Sequence, residues 1–381
     1  MTPEWRRRTI AGLAALLALA AAASLATPQA THGAVADPLP LPQVATWAYQ
    51  IQGLSRTGAV GALAASHYDL LVLEPSRTEK GNGDFPTKEM VARLKATPAG
   101  DGSHRKLVLA YLSIGEAESW RWYWTWSTRW PSGSPRPRDW PGFIVARDPD
   151  GWDGCYPVAY WSRRWKDIAI YGAHTGTRPG RDYTSIVDEA IRDGFDGVYL
   201  DWVEAYELPA VVRAARRAGK NPRAEMVRFL AELRDYARRR DPGFVIVQQN
   251  ASSLWRKHPE LFGIVDGIAQ EGIWYYGAAT DSWSAPGGHD IPTPASWRVD
   301  YLADLGRFRA AGLPVFDVEY TVRHAATTYE RSPGHGFIPY CTRSSLSRLT
   351  TTPPPSYSNW MPRELNHPHK QMRRAAGIFE P

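Results

Sequence analysis

Six acidic residues in this chain stand directly after apolar runs. Glu74 follows Leu70 to Leu73, Glu116 and Glu118 follow Leu107 to Leu112, and Asp201 closes Gly197 to Leu200. Glu271 and Glu319 follow Val265 to Ala269 and Pro314 to Val318 in the same way. An apolar run of this length reads as a buried strand, and in a parallel barrel the strand ends face one bowl where ligands bind. Two carboxyl groups across such a bowl are the equipment of glycoside hydrolysis, about 5 Å apart for retention and further apart for inversion. Asp201 and Glu271 stand out among the six, because each has rings beside it that can stack on sugar faces. These are Trp202 for the first and Trp274, Tyr275 and Tyr276 for the second. The same rings suit core packing, and any single strand-end acid equally suits orientation of a neighbour or a helix start.

The elements that must position these acids are legible as eight runs. They are Val44–Tyr49, Leu70–Leu73, Leu107–Leu112, Gly197–Leu200, Phe244–Val247, Val265–Ala269, Pro314–Val318 and Gly336–Tyr340. Helical patterns alternate with them: 87–96 with Thr87 as cap, 183–192, a longer helix from Asn221-Pro222, and 300–311. This order predicts an α/β chain, a single (β/α)8 TIM barrel. An open doubly wound sheet would need a Gly-rich phosphate turn after an early strand, and there is none. Asp196 and Asp266, at strand beginnings, read as turn residues. Gln248, Gln249 and Asn250 end the fifth strand and suit either sugar hydroxyls or the cap of a helix near Ser252-Ser253.

The third and fourth strands lie about eighty residues apart, too far for an ordinary barrel connection. Nine of the 17 tryptophans fall between Trp120 and Trp165. Trp120, Trp122, Trp124 and Trp126 alternate with period two, which predicts four indoles on one face of an extended segment. The insertion is expected to combine its own aromatic core with a cleft wall, Trp161 and Trp124 reaching substrate. Further substrate contacts are expected from Trp47, Glu74, Tyr111 and Glu116, from Tyr199, Gln248 and Asn250, and from Trp274, Tyr275 and Glu319.

Arg6, Arg7 and Arg8 precede an apolar stretch from Ile10 to Ala26. Ser24-Leu25-Ala26 and Ala34-Val35-Ala36 are both suitable cleavage sites; residues 1–36 read as a signal peptide, by the Sec or the twin-arginine route, which predicts export. Residues 37–349 then form the catalytic barrel, and 350–381 a proline-rich extension, mobile or surface-wrapping. The formal net charge of +6 includes the three leader arginines. The remaining arginines are spread along helices, which points away from nucleic acid. No membrane span is expected in the mature chain, and a monomer is. No Cys/His spacing suits zinc, so no metal or cofactor is expected. In an exported protein Cys155 and Cys341 read first as one disulfide, with two thiols as the alternative.

Ala110-Tyr111-Leu112-Ser113-Ile114-Gly115-Glu116-Ala117-Glu118, followed by Arg121-Trp122-Tyr123-Trp124, resembles the third-strand signature of glycoside hydrolase family 114. Tyr156 to Trp161, Phe195 to Asp201 and Gln270-Glu271-Gly272 extend the resemblance over about residues 47–349. It implies a secreted (β/α)8 enzyme acting on α-1,4-linked galactosamine polymers. It also implies the catalytic pair of that family at Asp201 and Glu271. The family 18 chitinases are similar over the fourth strand, but Tyr199 replaces their middle aspartate, Val203 sits close to their glutamate position, and Glu204 is out of register. The expected mechanism is retaining, Asp201 as nucleophile and Glu271 as acid and base. A non-catalytic amino-sugar-binding barrel, a glycosidase for another α-linked polymer, and an inactive surface protein are the alternatives.

Overall fold

The computed structural model describes residues 37–127, 130–131, 133–172, 185–276, 291–321 and 324–350. The expected signal peptide, Tyr183 and residues 351–381 of the expected extension lie outside the described residues.

Eight strands form one parallel sheet in chain order: β1 Trp47–Gln50, β2 Leu70–Leu73, β3 Leu107–Ser113, β4 Gly197–Asp201, β5 Val245–Gln249, β6 Gly267–Glu271, β7 Val315–Glu319 and β8 Phe337–Cys341. All seven ladders are parallel. At the seam between β8 and β1 the Trp47 indole donates to the Ile338 carbonyl at 2.8 Å, and the Ile51 and Gln52 amides donate to the Leu346 carbonyl. The sheet is a nearly closed barrel, and its strands are mostly apolar and almost wholly buried, with polar residues gathered toward their C-terminal ends.

The barrel interior is aromatic. Trp47 lies 5.3 Å from Phe316, 5.7 Å from Tyr340 and 6.1 Å from Tyr199, ring centre to ring centre, and Tyr49 lies 5.0 Å from Tyr199. Trp47 has no exposed surface and Tyr199 only 1 %. At the opposite end from the bowl, aspartates staple neighbouring strands. Asp69 accepts from the Thr46 amide, Asp196 from the Val108 amide and Asp266 from the Ile246 amide. Asp196 also pairs with Arg105 and Lys95, and Asp266 with Arg238. These acids each replace a missing ladder bond where a strand begins.

The expected helices form over Thr87–Lys95, Ile186–Arg192, Pro222–Arg238 and Ala295–Ala310. Asn221 caps the third of these through the Ala224 amide. Thr87 does not cap: it lies inside its helix, and its hydroxyl accepts from the Arg77 amide instead. No α-helix starts at Ser252-Ser253. Only two short 3-10 turns, Leu254–Arg256 and Pro259–Gly263, join β5 to β6.

After β3 the chain leaves the barrel as a short strand, Glu116–Glu118, paired antiparallel with Cys155–Pro157. The segment between them does not extend as the alternation predicts. Turns place Trp122 and Trp124 inside, while Trp120 stays 36 % exposed. Trp124 packs 5.0 Å from Trp126, 4.9 Å from Trp140 and 5.3 Å from Tyr156. The insertion has its own aromatic core, and the local period-two pattern yields to it because burying indoles outweighs a weak strand preference.

Candidate active site

Asp201 ends β4, opposite Ser113 of β3. Its Oδ2 accepts from the Tyr111 hydroxyl at 2.6 Å, and its Oδ1 from the Trp202 amide at 2.7 Å and Gln249 Nε2 at 2.9 Å. Three donors suit an ionised carboxylate. Burial, and then the charge of Glu271, act the other way and push the Asp201 carboxyl up to about 7. Trp202 takes left-handed backbone angles, φ 59°, so the chain turns sharply after Asp201 into a 3-10 turn, Val203–Glu207. That turn rests on Gly115. A Cβ there would lie 2.2 Å from the Trp202 carbonyl oxygen and 2.7 Å from the Ala205 Cβ, so only glycine admits the contact.

Glu271 ends β6. Its Oε2 accepts from Asn250 Nδ2 at 2.9 Å and its Oε1 from the Tyr320 hydroxyl at 2.5 Å. Asn250 is itself left-handed, φ 57°. Its Oδ1 accepts from the Glu271 amide and from Gln270 Nε2, which orients the side-chain amide with Nδ2 toward the acids. Gln248 donates to the Asn250 carbonyl at 2.8 Å from behind.

The same Asn250 Nδ2 reaches Glu204 Oε1 at 3.0 Å. One donor shared this way keeps the two glutamate oxygens within about 6 Å of each other. Glu204 Oε2 is buried and has no hydrogen-bond partner among the described residues. Burial, and then the charge of Asp201, push the Glu204 carboxyl up to about 8. Glu204 is the principal residue that sequence spacing set aside, and Tyr320 is another that it missed. Strand periodicity ends at Asp201, so nothing local reveals that the left-handed Trp202 turns Glu204 back to the bowl. The usable signal was an acid within one turn of a strand-end Asp-Trp. Among the described residues no basic side chain hydrogen-bonds to Asp201, Glu204 or Glu271.

The other expected contacts separate. Tyr111, Asn250 and the two catalytic candidates come together. Trp47 and Tyr199 belong to the barrel plug, although the Tyr199 hydroxyl faces the acids, which push its own proton affinity upward after burial. Gln248 supports Asn250. Glu74 accepts two bonds from the Arg121 guanidinium, and Glu118 accepts a third at 2.6 Å, so both acids are occupied by a buried arginine. Glu319 accepts from the backbone amides of Trp274 and Tyr275 at 2.8 and 2.9 Å. Trp274 is buried and donates to Ser332 Oγ, and Tyr275 stacks on His324 at 4.9 Å. Glu116 is 1 % exposed, its Oε1 has no hydrogen-bond partner among the described residues, and burial followed by Asp148 and Asp201 pushes its carboxyl up to about 10. Trp161 is half-buried and lines a cavity of about 650 Å³ with Trp130, Arg136 and Arg217, which shares no lining residue with the acid cluster.

Cys155 and Cys341 are two buried thiols, not the expected disulfide. Cys155 faces Glu118 in the insertion after β3, whereas Cys341 ends β8, and β1 and β2 lie between those strands around the barrel. Among the described residues no helix is long and apolar enough to cross a membrane, and no His, Cys, Asp and Glu group can hold a metal ion.

Residues 26–358 match the glycoside-hydrolase family GH114. An uncharacterized protein of Deinococcus radiodurans is 31% identical over 358 residues, covering 90% of this chain and 99% of its own. The uncharacterized protein MJ1477 of Methanocaldococcus jannaschii is 33% identical over 313 residues, covering 80% and 78%. Among solved structures, the glycoside hydrolase domain of PelA from Pseudomonas aeruginosa superposes with a TM-score of 0.52 at 18% identity, over 80% of this chain and 97% of that one. Aspergillus fumigatus Ega3, solved in complex with galactosamine, also gives 0.52, at 15% identity over 82% and 96%. These two likenesses concern the barrel fold, and the family match spans all of the described residues. With its strand-end acids gathered over that barrel, the chain belongs to glycoside-hydrolase family GH114.

Proposed function

We propose that the protein is an exported, retaining endo-glycosidase that cleaves α-1,4-linked galactosamine-containing polysaccharide. The observation that carries the reading is the pair Asp201 and Glu271. They end β4 and β6, one strand apart, each is held by side-chain donors, and among the described residues no basic side chain hydrogen-bonds to either. An Asp201 oxygen attacks the anomeric carbon while the bond to the leaving sugar oxygen breaks, and Glu271 passes its proton to that oxygen. Glu271 then takes a proton from water, whose oxygen displaces Asp201 from the glycosyl ester. The galactosamine class is supported by the uncompensated acids, which suit a cationic polymer despite the chain's net +6. It is also supported by the galactosamine bound to the structurally similar Ega3. Export rests on Arg6 to Arg8 and the apolar run behind them.

Incubation of the purified enzyme with defined galactosamine, N-acetylgalactosamine and glucosamine polymers, read as new reducing ends by mass spectrometry, tests the reading. Internal cleavage of the galactosamine polymer is expected, and polymer binding without new ends would instead support a binding barrel.

The raised Asp201 carboxyl has a kinetic consequence. A nucleophile must be ionised, so kcat/KM, which reports the free enzyme, should fall about tenfold per pH unit below about 7. In the complex a substrate ammonium favours the ionised form, so the acid limb of kcat should lie at lower pH. Coincident acid limbs in the two profiles would contradict this. The same raised carboxyl favours one second reading, with Asp201 as the acid and Glu271 as the nucleophile. Azide rescue separates the two: for Asp201→Ala an azide product of inverted configuration identifies the nucleophile, and one of retained configuration identifies the acid.

A further inference from the structure

Among the described residues, two buried polar atoms beside the pair have no hydrogen-bond partner. Glu204 Oε2 has no hydrogen-bond partner, and neither has the Tyr199 hydroxyl, although Tyr199 is only 1 % exposed. The two share surroundings, since the charges that act on the Tyr199 hydroxyl are those of Glu271, Asp201 and Glu204. Both are held in place. Asn250 ties Glu204 to Glu271, and the rings of Trp47 and Tyr49 pack against Tyr199. An unfilled buried acceptor costs stability, so such atoms in a rigid setting point to a ligand that fills them.

The chemistry of that ligand follows from the acceptors. A sugar hydroxyl offers one donor and no charge. An acetamido group offers one N–H and turns a carbonyl oxygen toward three carboxyl groups. An ammonium offers three donors, no acceptor and the opposite charge. Beneath a neutral sugar the buried Glu204 carboxyl keeps its proton, whereas an ammonium beside it favours the ionised form and pairs with it.

We propose that Glu204 is the specificity-determining residue of this site, its Oε2 and the Tyr199 hydroxyl receiving the ammonium group of an unacetylated amino sugar. Asn250 holds Glu204 against Glu271, so the amine is read next to the bond that breaks. The proposal rests on the glycosidase reading above and goes beyond it by assigning the discrimination between free amine and acetamide to one side chain.

The test compares wild type with Glu204→Gln, which keeps size and removes the charge. Two arms are measured: kcat/KM on de-N-acetylated and N-acetylated α-1,4-galactosamine polymers, and calorimetric binding of the corresponding short oligomers. Wild type is expected to prefer the free amine in both arms. In the variant that preference, taken as the ratio between the two ligands, should fall on the order of 100-fold, whatever happens to absolute turnover. Equal losses on both ligands would indicate a merely structural role and overturn the proposal, as would a wild type without preference for the amine in binding. The arms also separate the two readings. Amine-selective binding that depends on Glu204 without any bond cleavage would sustain this inference and end the glycosidase reading.

Discussion

Replacing Asp201 by asparagine is expected to reduce polymer cleavage by about 10⁴-fold or more, the scale seen when a nucleophile is removed. The substitution conserves shape, so the Trp202 turn and the contact with Gly115 stay in place. It removes the attacking oxyanion and presents an amide where Tyr111 and Gln249 now donate to a carboxylate. Glu271→Gln should cost about 10²–10⁴-fold, because a leaving group that departs unprotonated still departs slowly. The two effects should be distinguishable with an activated leaving group such as a nitrophenyl glycoside. That substrate should restore the first step in the Glu271 variant and leave the Asp201 variant inactive. Near-normal turnover by either variant on the polymer, with an unchanged unfolding midpoint, would remove these residues from the mechanism.

The second large effect concerns stability. Arg121 is buried and joins two strand-end acids, with bonds to Glu74, to Glu118 and to the Thr78 hydroxyl. Burial pushes the Glu118 carboxyl up, and Arg121 opposes that shift through its charge and its hydrogen bond. Arg121→Met should therefore destabilise the protein by about 3–5 kcal/mol, read from the urea midpoint, since it leaves two buried carboxylates unpaired. Adding Glu74→Gln and Glu118→Gln to the same protein should recover most of that loss, because the damage comes from stranded charge and not from lost packing. A single variant with unchanged stability, or a triple variant no better than the single, would show that the triad is not what holds the root of the insertion. The same pairing explains why Glu74, just past the end of β2, and Glu118, in the short strand after β3, are not expected to act on substrate.

Legibility followed the range of the interaction. Eight parallel strands were readable because each is a local apolar run with near-complete burial, and their order along the chain left one closed arrangement. The acids at the ends of β4 and β6 were readable for the same reason, since strand ends of a barrel converge by topology alone. Helix starts were less so. Asn221 caps as its type suggests, but Thr87 was claimed by the Arg77 amide across a loop. The tryptophan alternation failed because the indoles found partners in Trp140 and Tyr156, which no window around Trp124 contains.

What the amino-acid sequence determined by itself is the barrel, the order of its strands, and the positions of Asp201 and Glu271 at the mouth, because those depend on apolar periodicity and chain order. Which strand-end acids stay uncompensated was decided only by tertiary structure. Arg121 neutralises Glu74 and Glu118, two backbone amides occupy Glu319, and a left-handed Trp202 with the shared amide of Asn250 brings Glu204 to the pair. The reason is physical. A carboxyl group's role depends on which donors lie within about 3 Å of it, and in a barrel those donors come from strands far apart in the chain.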